Sequence, residues 1–364
     1  MKSNNTFRIA LFPGDGIGEE ITDPTRILLD EVAARVGGFG FDWEPCDAGA
    51  AYYRKHGTAL PEQSIKTARA ADAILLAAMG LPDVRYADGR EMTPQIDIRF
   101  EYGLYAGVRP VKPVPGVRAI LADPRAHDID YVIIRESIEG LFAPIAPGTR
   151  DGDKEARETM VITRPVCEKL FDFAFRLAEE RGGQKKVTSV DKANVFQAFA
   201  FWRDIFYERA KGFGGISADH AYVDAFAMTM VQKPWSIDVA VTENMFGDIL
   251  SDLGAALMGG MGYAPSADIG DDHAVFQPCH GSAPDIAGKG LANPTAMILS
   301  AAMMLEWLGA RHGSSEAGVA ASTLRRAVEG AFGGGRLITC ELGGDAGTEA
   351  VFTAVRDALA RVDV

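Results

Sequence analysis

The chain of 364 residues carries 37 Lys and Arg against 50 Asp and Glu, a formal net charge of −13. Hydrophobic residues make up 47% and charged residues 24%, a composition typical of globular proteins, and this length predicts about two domains. The acidic balance argues against a general nucleic-acid binder, because neutralising phosphates requires a basic surface.

The cysteines are Cys46, Cys167, Cys279 and Cys340, all far apart in sequence. This spacing predicts reduced thiols and gives no indication of a disulfide framework or a structural zinc site. No signal peptide is recognisable, and no apolar run reaches the roughly 20 residues of a membrane span. We therefore expect a cytoplasmic protein that does not associate with membranes.

Short apolar runs alternate with longer amphipathic stretches along the chain. The predicted strands cover residues 8–12, 39–44, 73–80, 131–135, 185–190 and 237–242. Helices are predicted at residues 19–36 and 167–181, the second because its apolar residues recur every three or four positions. This alternation indicates an α/β architecture with a largely parallel sheet.

The sequence GDGIG at residues 14–18 follows a strand and opens a helix, as a dinucleotide-binding turn does. The glycine spacing differs from that motif, because the third glycine is expected at position 19, where this chain has a glutamate. The carboxylates of Asp15, Glu19 and Glu20 would also repel a pyrophosphate. We interpret the segment as a tight strand-to-helix turn.

Two further segments bear on domain organisation. Residues 144–163 are polar and turn-rich and then briefly β-like, which predicts either a surface loop or an arm that pairs with a second subunit. The glycine cluster at residues 259–270 is a candidate crossover or hinge.

Asp248 and Asp252 lie four residues apart in a predicted helix, so both carboxylates project from one face. Their mutual repulsion favours a cation between them, and oxygen ligands suit Mg²⁺ or Mn²⁺. Apolar neighbours predict that the pair lies near a core. Stabilisation of the helix dipole is the alternative reading of these two acids.

Asp224 lies in an apolar context and needs a partner, either as a metal ligand or as a satisfied core aspartate. Lys192 follows a predicted strand, where desolvation would make it a usable proton acceptor, although a surface lysine is also possible. Arg99, Arg109 and Arg135 are candidates for carboxylate recognition or for ordinary salt bridges. Together these residues predict a metal-chelated, multiply anionic small molecule as the ligand.

Six motifs occur in a fixed order: GDGIG, LYAGVRPVKPVPGV, RESIEGLFAP, DKANVF, NMFGDILSDL and HGSAPDIAGKGLANP. With these motifs the chain resembles, over nearly its whole length, the isocitrate/3-isopropylmalate dehydrogenase family. Its members are metal-dependent β-decarboxylating dehydrogenases and include tartrate and D-malate dehydrogenases.

The resemblance implies an α/β, isopropylmalate dehydrogenase-like two-domain fold, different from the standard Rossmann fold, with mixed sheets flanked by helices. Residues 1–104 plus 259–364 would form the first, cofactor-binding domain. Residues 105–258 would form the second, with the dimer interface and the arm at about 144–163. A homodimer would share each active site between its subunits.

The family motifs also imply roles for individual residues. Asp248 and Asp252 would hold Mg²⁺ or Mn²⁺ with Asp224 of the second subunit, and Lys192, also from that subunit, would be the base. The carboxylates of a dicarboxylate substrate would bind Arg99, Arg109 and Arg135. The residues expected to read the group on the third carbon of the substrate are Thr93, Gln95 and Ile96.

The cofactor loop would be the last of these motifs. Its expected binding residues are His280, Gly281, Ser282, Ala283, Asp285, Ile286 and Asn293. The carboxylate of Asp285 would accept hydrogen bonds from ribose hydroxyls and repel a 2′-phosphate, so NAD is expected over NADP.

Phe142 stands where most relatives have a tyrosine that helps reprotonate the product after CO₂ leaves. The leading hypothesis is oxidative decarboxylation of a 3-substituted malate, as in 3-isopropylmalate dehydrogenase. A D-malate or tartrate dehydrogenase, oxidation without efficient decarboxylation, and a non-catalytic regulatory homologue are the alternatives.

Overall fold

A ten-stranded mixed sheet runs through the molecule and is flanked by helices. The computed structural model describes residues 5–87, 89–143 and 148–364. The predicted α/β class with a mixed sheet is therefore confirmed.

The strands are β1 Asn5–Gly14, β2 Phe39–Pro45, β3 Ala73–Ala78, β4 Ala106–Val111, β5 Tyr131–Glu136, β6 Thr149–Asp151, β7 Glu155–Arg157, β8 Lys186–Asp191, β9 Ser217–Tyr222, β10 Val239–Thr242, β11 Pro265–Ile269 and β12 Ala274–Pro278. The helices are α1 Ile17–Val36, α2 Ala50–His56, α3 Glu62–Ala70, α4 Pro94–Glu101, α5 Arg164–Arg181, α6 Gln197–Ala210, α7 Val223–Gln232, α8 Asn244–Met258, α9 Thr295–His312, α10 Ser315–Phe332 and α11 Thr348–Arg361. Short 3₁₀ helices cover Pro124–Asp128, Pro234–Ser236, Met261–Tyr263 and Cys340–Leu342.

Every predicted strand and helix is present, with ends shifted by a few residues. Helix α5 begins at Arg164, before the expected start, because Pro165 is compatible with the first turn of a helix. Its buried apolar side chains recur at three- and four-residue spacing, as the sequence predicts. Among the helices of the described residues, none combines the length and apolar character needed to cross a membrane.

The strand order groups the strands by chain region. The order is β2-β1-β3-β12-β11-β4-β5-β10-β8-β9. The first five strands come from residues 5–78 and 265–278, the last five from residues 106–242, and the two groups meet where β11 pairs antiparallel with β4. In the described residues six of the nine pairings of this sheet are parallel, which confirms the largely parallel sheet. The boundaries of the two domains stay a prediction.

Residues 14–18 form the predicted tight turn between β1 and α1. Gly14 and Gly16 have positive φ, and a Cβ on Gly14 would lie 1.8 Å from the carbonyl oxygen of Ala78. The buried carboxylate of Asp15 accepts hydrogen bonds from the backbone N–H groups of Ala50, Ala51 and Gly80 at 2.7–2.8 Å. Asp15 thus ties the turn to the start of α2 and to the end of β3.

Part of the segment at 144–163 forms a small hairpin. Strands β6 and β7 pair antiparallel, and all of their residues are exposed. Gly140 donates its backbone N–H to the carbonyl of Val161, which anchors the end of the segment. Residues 144–147 of the predicted arm lie outside the described residues, and the choice between a surface loop and an arm stays open.

Three glutamates that the sequence analysis did not single out are buried where β5 ends and α8 begins. They are Glu136, Glu139 and Glu243. Glu136 accepts hydrogen bonds from two backbone N–H groups of the following turn, and Glu243 does the same at the N-terminus of α8. Burial raises the pKa of Glu136 to about 7, reinforced by Glu139 and Glu243 and opposed by the two backbone hydrogen bonds.

The three hydrogen bonds of Asp15 predict a large loss of stability in Asp15→Ala, because three backbone donors lose a charged acceptor. We expect the free energy of unfolding to fall by about 2–4 kcal/mol in urea denaturation. Asp23→Ala is the control, since the Asp23 side chain is 77% exposed and should be worth less than about 1 kcal/mol. Equal effects of the two substitutions would contradict this role for Asp15.

The raised pKa of Glu136 predicts that its folded form keeps a proton that the unfolded chain releases at lower pH. The contribution of Glu136 to stability therefore falls as pH rises from about 4.5 to about 7 and is constant above that. Glu136→Gln should remove this loss and stabilise the protein at about pH 8 by about 1–3 kcal/mol relative to its effect at about pH 5. Denaturation at both pH values checks this, with Glu329→Gln on the exposed face of α10 as control. A pH dependence equal to that of the unsubstituted protein would refute it.

Candidate active site

A cavity of about 280 Å³ opens where α4, β4, β5, α8 and the end of β12 meet. The predicted residues that line it are Gln95, Ile96, Arg99, Arg109, Arg135, Asp248, Asp252, His280 and Gly281. Phe142 also lines this cavity. The structure thus brings most of the predicted substrate and metal residues of one chain to a single site.

Strand pairing places two of the arginines on one face of the sheet. In the antiparallel pair of β4 and β5, Arg109 lies opposite Ile133 and Arg135 lies opposite Gly107. Opposite residues share a face and side chains alternate along each strand, so the two arginines point the same way. Arg99 approaches from α4, and all three arginines are buried. Burial and repulsion from Arg99 lower the pKa of Arg135 to about 10, so its guanidinium stays charged at neutral pH.

Asp268 on β11 is a site residue that sequence reasoning missed. It is fully buried and lies opposite Gly107, on the same face as Arg109. Its carboxylate accepts from the Nε of Arg99 at 3.2 Å and from a terminal nitrogen of Arg109 at 3.0 Å. Burial opposes its ionisation, but the charges of Arg109 and Arg99 outweigh burial and lower its pKa to about 2. An aspartate between apolar residues of a strand was the available signal.

Asp248 and Asp252 project from the same face of α8 into the cavity, as predicted. The expectation that they lie near a core is wrong, because the Asp248 side chain is 53% exposed where the cavity opens. Asp248 forms an ion pair with Arg135. Burial raises the pKa of Asp252, and so does repulsion from Asp248.

Lys192 and Asp224 lie together but do not line this cavity. The Nζ of Lys192 donates to the carboxylate of Asp224 at 2.5 Å, and the hydrogen bond lowers the pKa of Asp224. Asp224 has the partner that its sequence context required, yet its side chain is 69% exposed in the single chain. In the described residues no three His, Cys, Asp or Glu side chains are grouped as a metal site.

The residues expected to read the substituent on the third carbon start α4. Thr93 precedes the helix and does not line the cavity, whereas Gln95 and Ile96 do. The amide oxygen of Gln95 is buried and has no hydrogen-bond partner in the described part of the chain. The ring of Phe142 lies 5.1 Å from the guanidinium carbon of Arg135.

The predicted cofactor loop follows β12 and borders a second cavity of about 320 Å³. The predicted binding residues that line it are His280, Ala283, Ile286 and Asn293, and Leu291 and Ala292 of the loop line it as well. His280 belongs to both cavities, and its Nε2 is buried without a partner in the residues described. Asp285 is exposed in the same loop, and Ser282 is buried, with its hydroxyl donating to the carbonyl of Gly80.

Helix α1 holds this loop at two places. The backbone N–H of Ile17 donates to the carbonyl of Ser282 at 2.8 Å. The carboxylate of Glu20 accepts from the backbone N–H of Gly288 at 3.0 Å and from that of Ala292 at 3.4 Å. Glu20 also accepts from the hydroxyl of Thr348 at the start of α11. Glu20, one of the acidic residues of α1, therefore holds the predicted cofactor loop in place.

Comparison with known proteins identifies relatives over most of the chain. The family model described as "Isocitrate/isopropylmalate dehydrogenase" matches residues 8–355. The 3-isopropylmalate/3-methylmalate dehydrogenase of Methanocaldococcus jannaschii is 42% identical over 347 residues, 94% of this chain and 95% of that protein. A protein of Bacillus subtilis named as a probable tartrate dehydrogenase/decarboxylase is 38% identical over 308 residues, 83% of this chain and 86% of that protein.

A solved structure is similar as well. The crystal structure of isocitrate dehydrogenase from Methylococcus capsulatus has a TM-score of 0.85 at 36% identity, covering 97% of this chain and 99% of that one. These matches confirm the resemblance that the sequence motifs predict.

Proposed function

The chain belongs to the isocitrate/isopropylmalate dehydrogenase family, whose members are dehydrogenases and decarboxylases, and on that premise we propose its reaction. We propose an NAD-dependent, Mg²⁺- or Mn²⁺-dependent oxidative decarboxylation of a 3-substituted malate-type 2-hydroxy acid. The observation that carries this proposal is the cavity in which three buried arginines meet two carboxylates of one helix. Such a cavity suits a small dicarboxylate bound together with a cation.

The two carboxylates of α8 fit a divalent cation. Asp248 and Asp252 are one helical turn apart and repel each other, and a bound cation would remove that repulsion. All of the atoms that would bind the metal are carboxylate oxygens, which suits Mg²⁺ or Mn²⁺. The third carboxylate would be Asp224 of a second subunit, since Asp224 of the same chain does not line the cavity. When bound, the metal would supply positive charge beside the substrate hydroxyl and the neighbouring carboxylate.

The second cavity fits the adenosine part of a dinucleotide. It has apolar walls that include Ile17 and Ile286, and the buried Nε2 of His280 offers an unused hydrogen-bonding group. Because His280 borders both cavities, a cofactor there would reach towards the substrate. The exposed carboxylate of Asp285 favours the ribose hydroxyls of NAD over the phosphate of NADP.

Side chains of the protein would bind the substrate and accept its hydroxyl proton. Arg99, Arg109 and Arg135 would hold the substrate carboxylates through guanidinium groups that are buried and therefore fixed in direction. Lys192 from a second subunit would accept the proton of the substrate hydroxyl. Lys192 is hydrogen-bonded to Asp224 in the single chain, so Asp224 would have to turn to the cation as its third carboxylate before Lys192 could act as a base.

An exposed apolar surface supports a homodimer with shared sites. Val195, Phe196, Met228, Val231 and Ile249 are each between 47% and 61% exposed on or next to α6, α7 and α8. This surface adjoins the Lys192–Asp224 pair, and large exposed apolar patches mark interaction sites. The exposed hairpin of β6 and β7 is a candidate for the arm, and residues 105–258 would be the domain that dimerises.

A D-malate- or tartrate-type substrate is the second candidate, and of these two Gln95 favours tartrate. Its buried amide oxygen lacks a partner and belongs to a residue of the cavity wall. The hydroxyl on the third carbon of tartrate would donate to this oxygen, whereas the CH₂ group of D-malate or an isopropyl group would leave it unpaired.

Oxidation without efficient decarboxylation is the third candidate, and Phe142 favours it. Phe142 lines the cavity but has no proton to give to the product after CO₂ leaves. Its ring keeps contact with the Arg135 guanidinium, so the phenylalanine retains a positioning contact at this wall.

The proposed reaction predicts NADH formation with at least one of 3-isopropylmalate, 3-methylmalate, D-malate and tartrate in the presence of Mn²⁺. NAD⁺ should be preferred over NADP⁺ by about tenfold or more. Lys192→Met should lower kcat by about 10²–10⁴-fold, while Lys66→Met on α3, where Lys66 is 65% exposed, should match the unsubstituted enzyme. The absence of NADH with every substrate would reject the proposal in favour of a non-catalytic homologue.

Phe142→Tyr tests the missing proton donor. If the enzyme oxidises without efficient decarboxylation, we expect the substitution to raise the ratio of CO₂ released to NADH formed towards its maximum of one, because a phenol can act as a general acid. Both products are followed in the same assay, and Phe201→Tyr, on α6 and 39% exposed, is the control. An unchanged ratio of CO₂ to NADH in Phe142→Tyr would remove the role assigned to position 142.

A further inference from the structure

Asp268 lies behind the cavity wall, in contact with the lining residues Arg99, Arg109 and Gln277, and none of the roles above explains it. It lies at the junction of the two strand groups, and its side chain is fully buried. Besides the two arginines, its carboxylate accepts from the amide of Gln277 at 2.9 Å and from the hydroxyl of Ser137 at 3.3 Å. All of its partners donate, so Asp268 is held as an anion.

The contacts of Asp268 fix the edges of two guanidinium groups. Arg99 uses its Nε for Asp268 at 3.2 Å. Arg109 uses one terminal nitrogen for Asp268 at 3.0 Å and the other for the carbonyl of Ala267 at 2.8 Å. Arg135 is held separately, by the amide oxygen of Asn244 at 2.7 Å and by Asp248. Each arginine is thus oriented by the protein before a ligand enters.

Asp268 also changes the charge of the cavity. Three arginines and one fully buried aspartate leave two net positive charges. The charges of Asp248 and Asp252 would be balanced by a divalent cation, and the Lys192–Asp224 pair of the same chain does not line this cavity. The part of the cavity that receives substrate carboxylates therefore matches two negative charges.

We infer that Asp268 is a positioning residue that aligns Arg99 and Arg109 and limits the cavity to substrates with two carboxylates, against those with three. This inference rests on the proposed function. A tricarboxylate would bring one negative charge without a partner into a cavity whose arginines already share the charge of a buried carboxylate behind the wall, and such a charge is strongly disfavoured.

The test replaces Asp268 by neutral residues. Asp268→Asn removes the charge, and Asp268→Ser removes it without placing an amide N–H against Arg99 and Gln277. Asp268→Glu keeps the charge. Asp172→Asn is the matched control, because Asp172 pairs with Arg209 at 2.6 Å on α5, outside the cavity.

The measurement is the ratio of kcat/KM for isocitrate to that for the best dicarboxylate, at about pH 8. Both neutral variants should raise this ratio by about tenfold or more, mainly through a lower KM for isocitrate. Asp268→Glu and Asp172→Asn should keep the ratio of the unsubstituted enzyme. A purely structural role would reduce both values of kcat/KM together, and an unchanged ratio in folded Asp268→Asn and Asp268→Ser overturns the inference.

Binding without turnover separates this inference from the proposed function. Thermal shifts with citrate and with malonate, each with Mn²⁺, report tricarboxylate and dicarboxylate binding directly. The neutral variants should gain stabilisation by citrate relative to malonate. If the unsubstituted protein oxidises no substrate, the proposed function fails, while the anion preference still decides the role of Asp268.

Discussion

The burial of three guanidinium groups on one face of the central strands is the constraint on which the rest of the site depends. A buried charge is tolerated only where hydrogen bonds and opposite charges surround it. Here Asp268, Asn244 and Asp248 supply part of that compensation. The other N–H groups of the three arginines face the cavity. In the folded chain these groups still require anionic oxygen atoms as hydrogen-bond acceptors.

Glycines make this arrangement sterically possible. A Cβ on Gly107 would lie 3.0 Å from a carboxylate oxygen of Asp268, and a Cβ on Gly247 would lie 2.6 Å from the Arg135 side chain. Neither glycine has a positive φ, so other residues could adopt these backbone angles. Glycine is required at both positions only because a side chain would not fit. The strand β4 and the helix α8 can approach the charged cluster only because these side chains are missing.

Local patterns were enough to predict six of the strands, the arginines and the aspartate pair of α8. Apolar runs such as that of β5 are short and bounded by polar residues, and four-residue spacing places two aspartates on one helix face. Asp268 escaped because its importance comes from pairing with Arg109, which lies 159 positions away in the chain. The exposure of Asp248 escaped for a related reason. Its apolar neighbour Leu250 turns to the core while Ile249 turns to solvent, and the sequence alone does not assign those faces.

The ties between α1 and the loop after β12 have a consequence for how a ligand is received. Glu20 and the backbone of Ile17 hold the loop through hydrogen bonds that are already formed in the free chain. A loop held in this way loses little conformational entropy when its cavity fills. Association there can therefore proceed close to a rigid-body encounter, and changes to Glu20 would weaken affinity without altering any atom that touches the ligand.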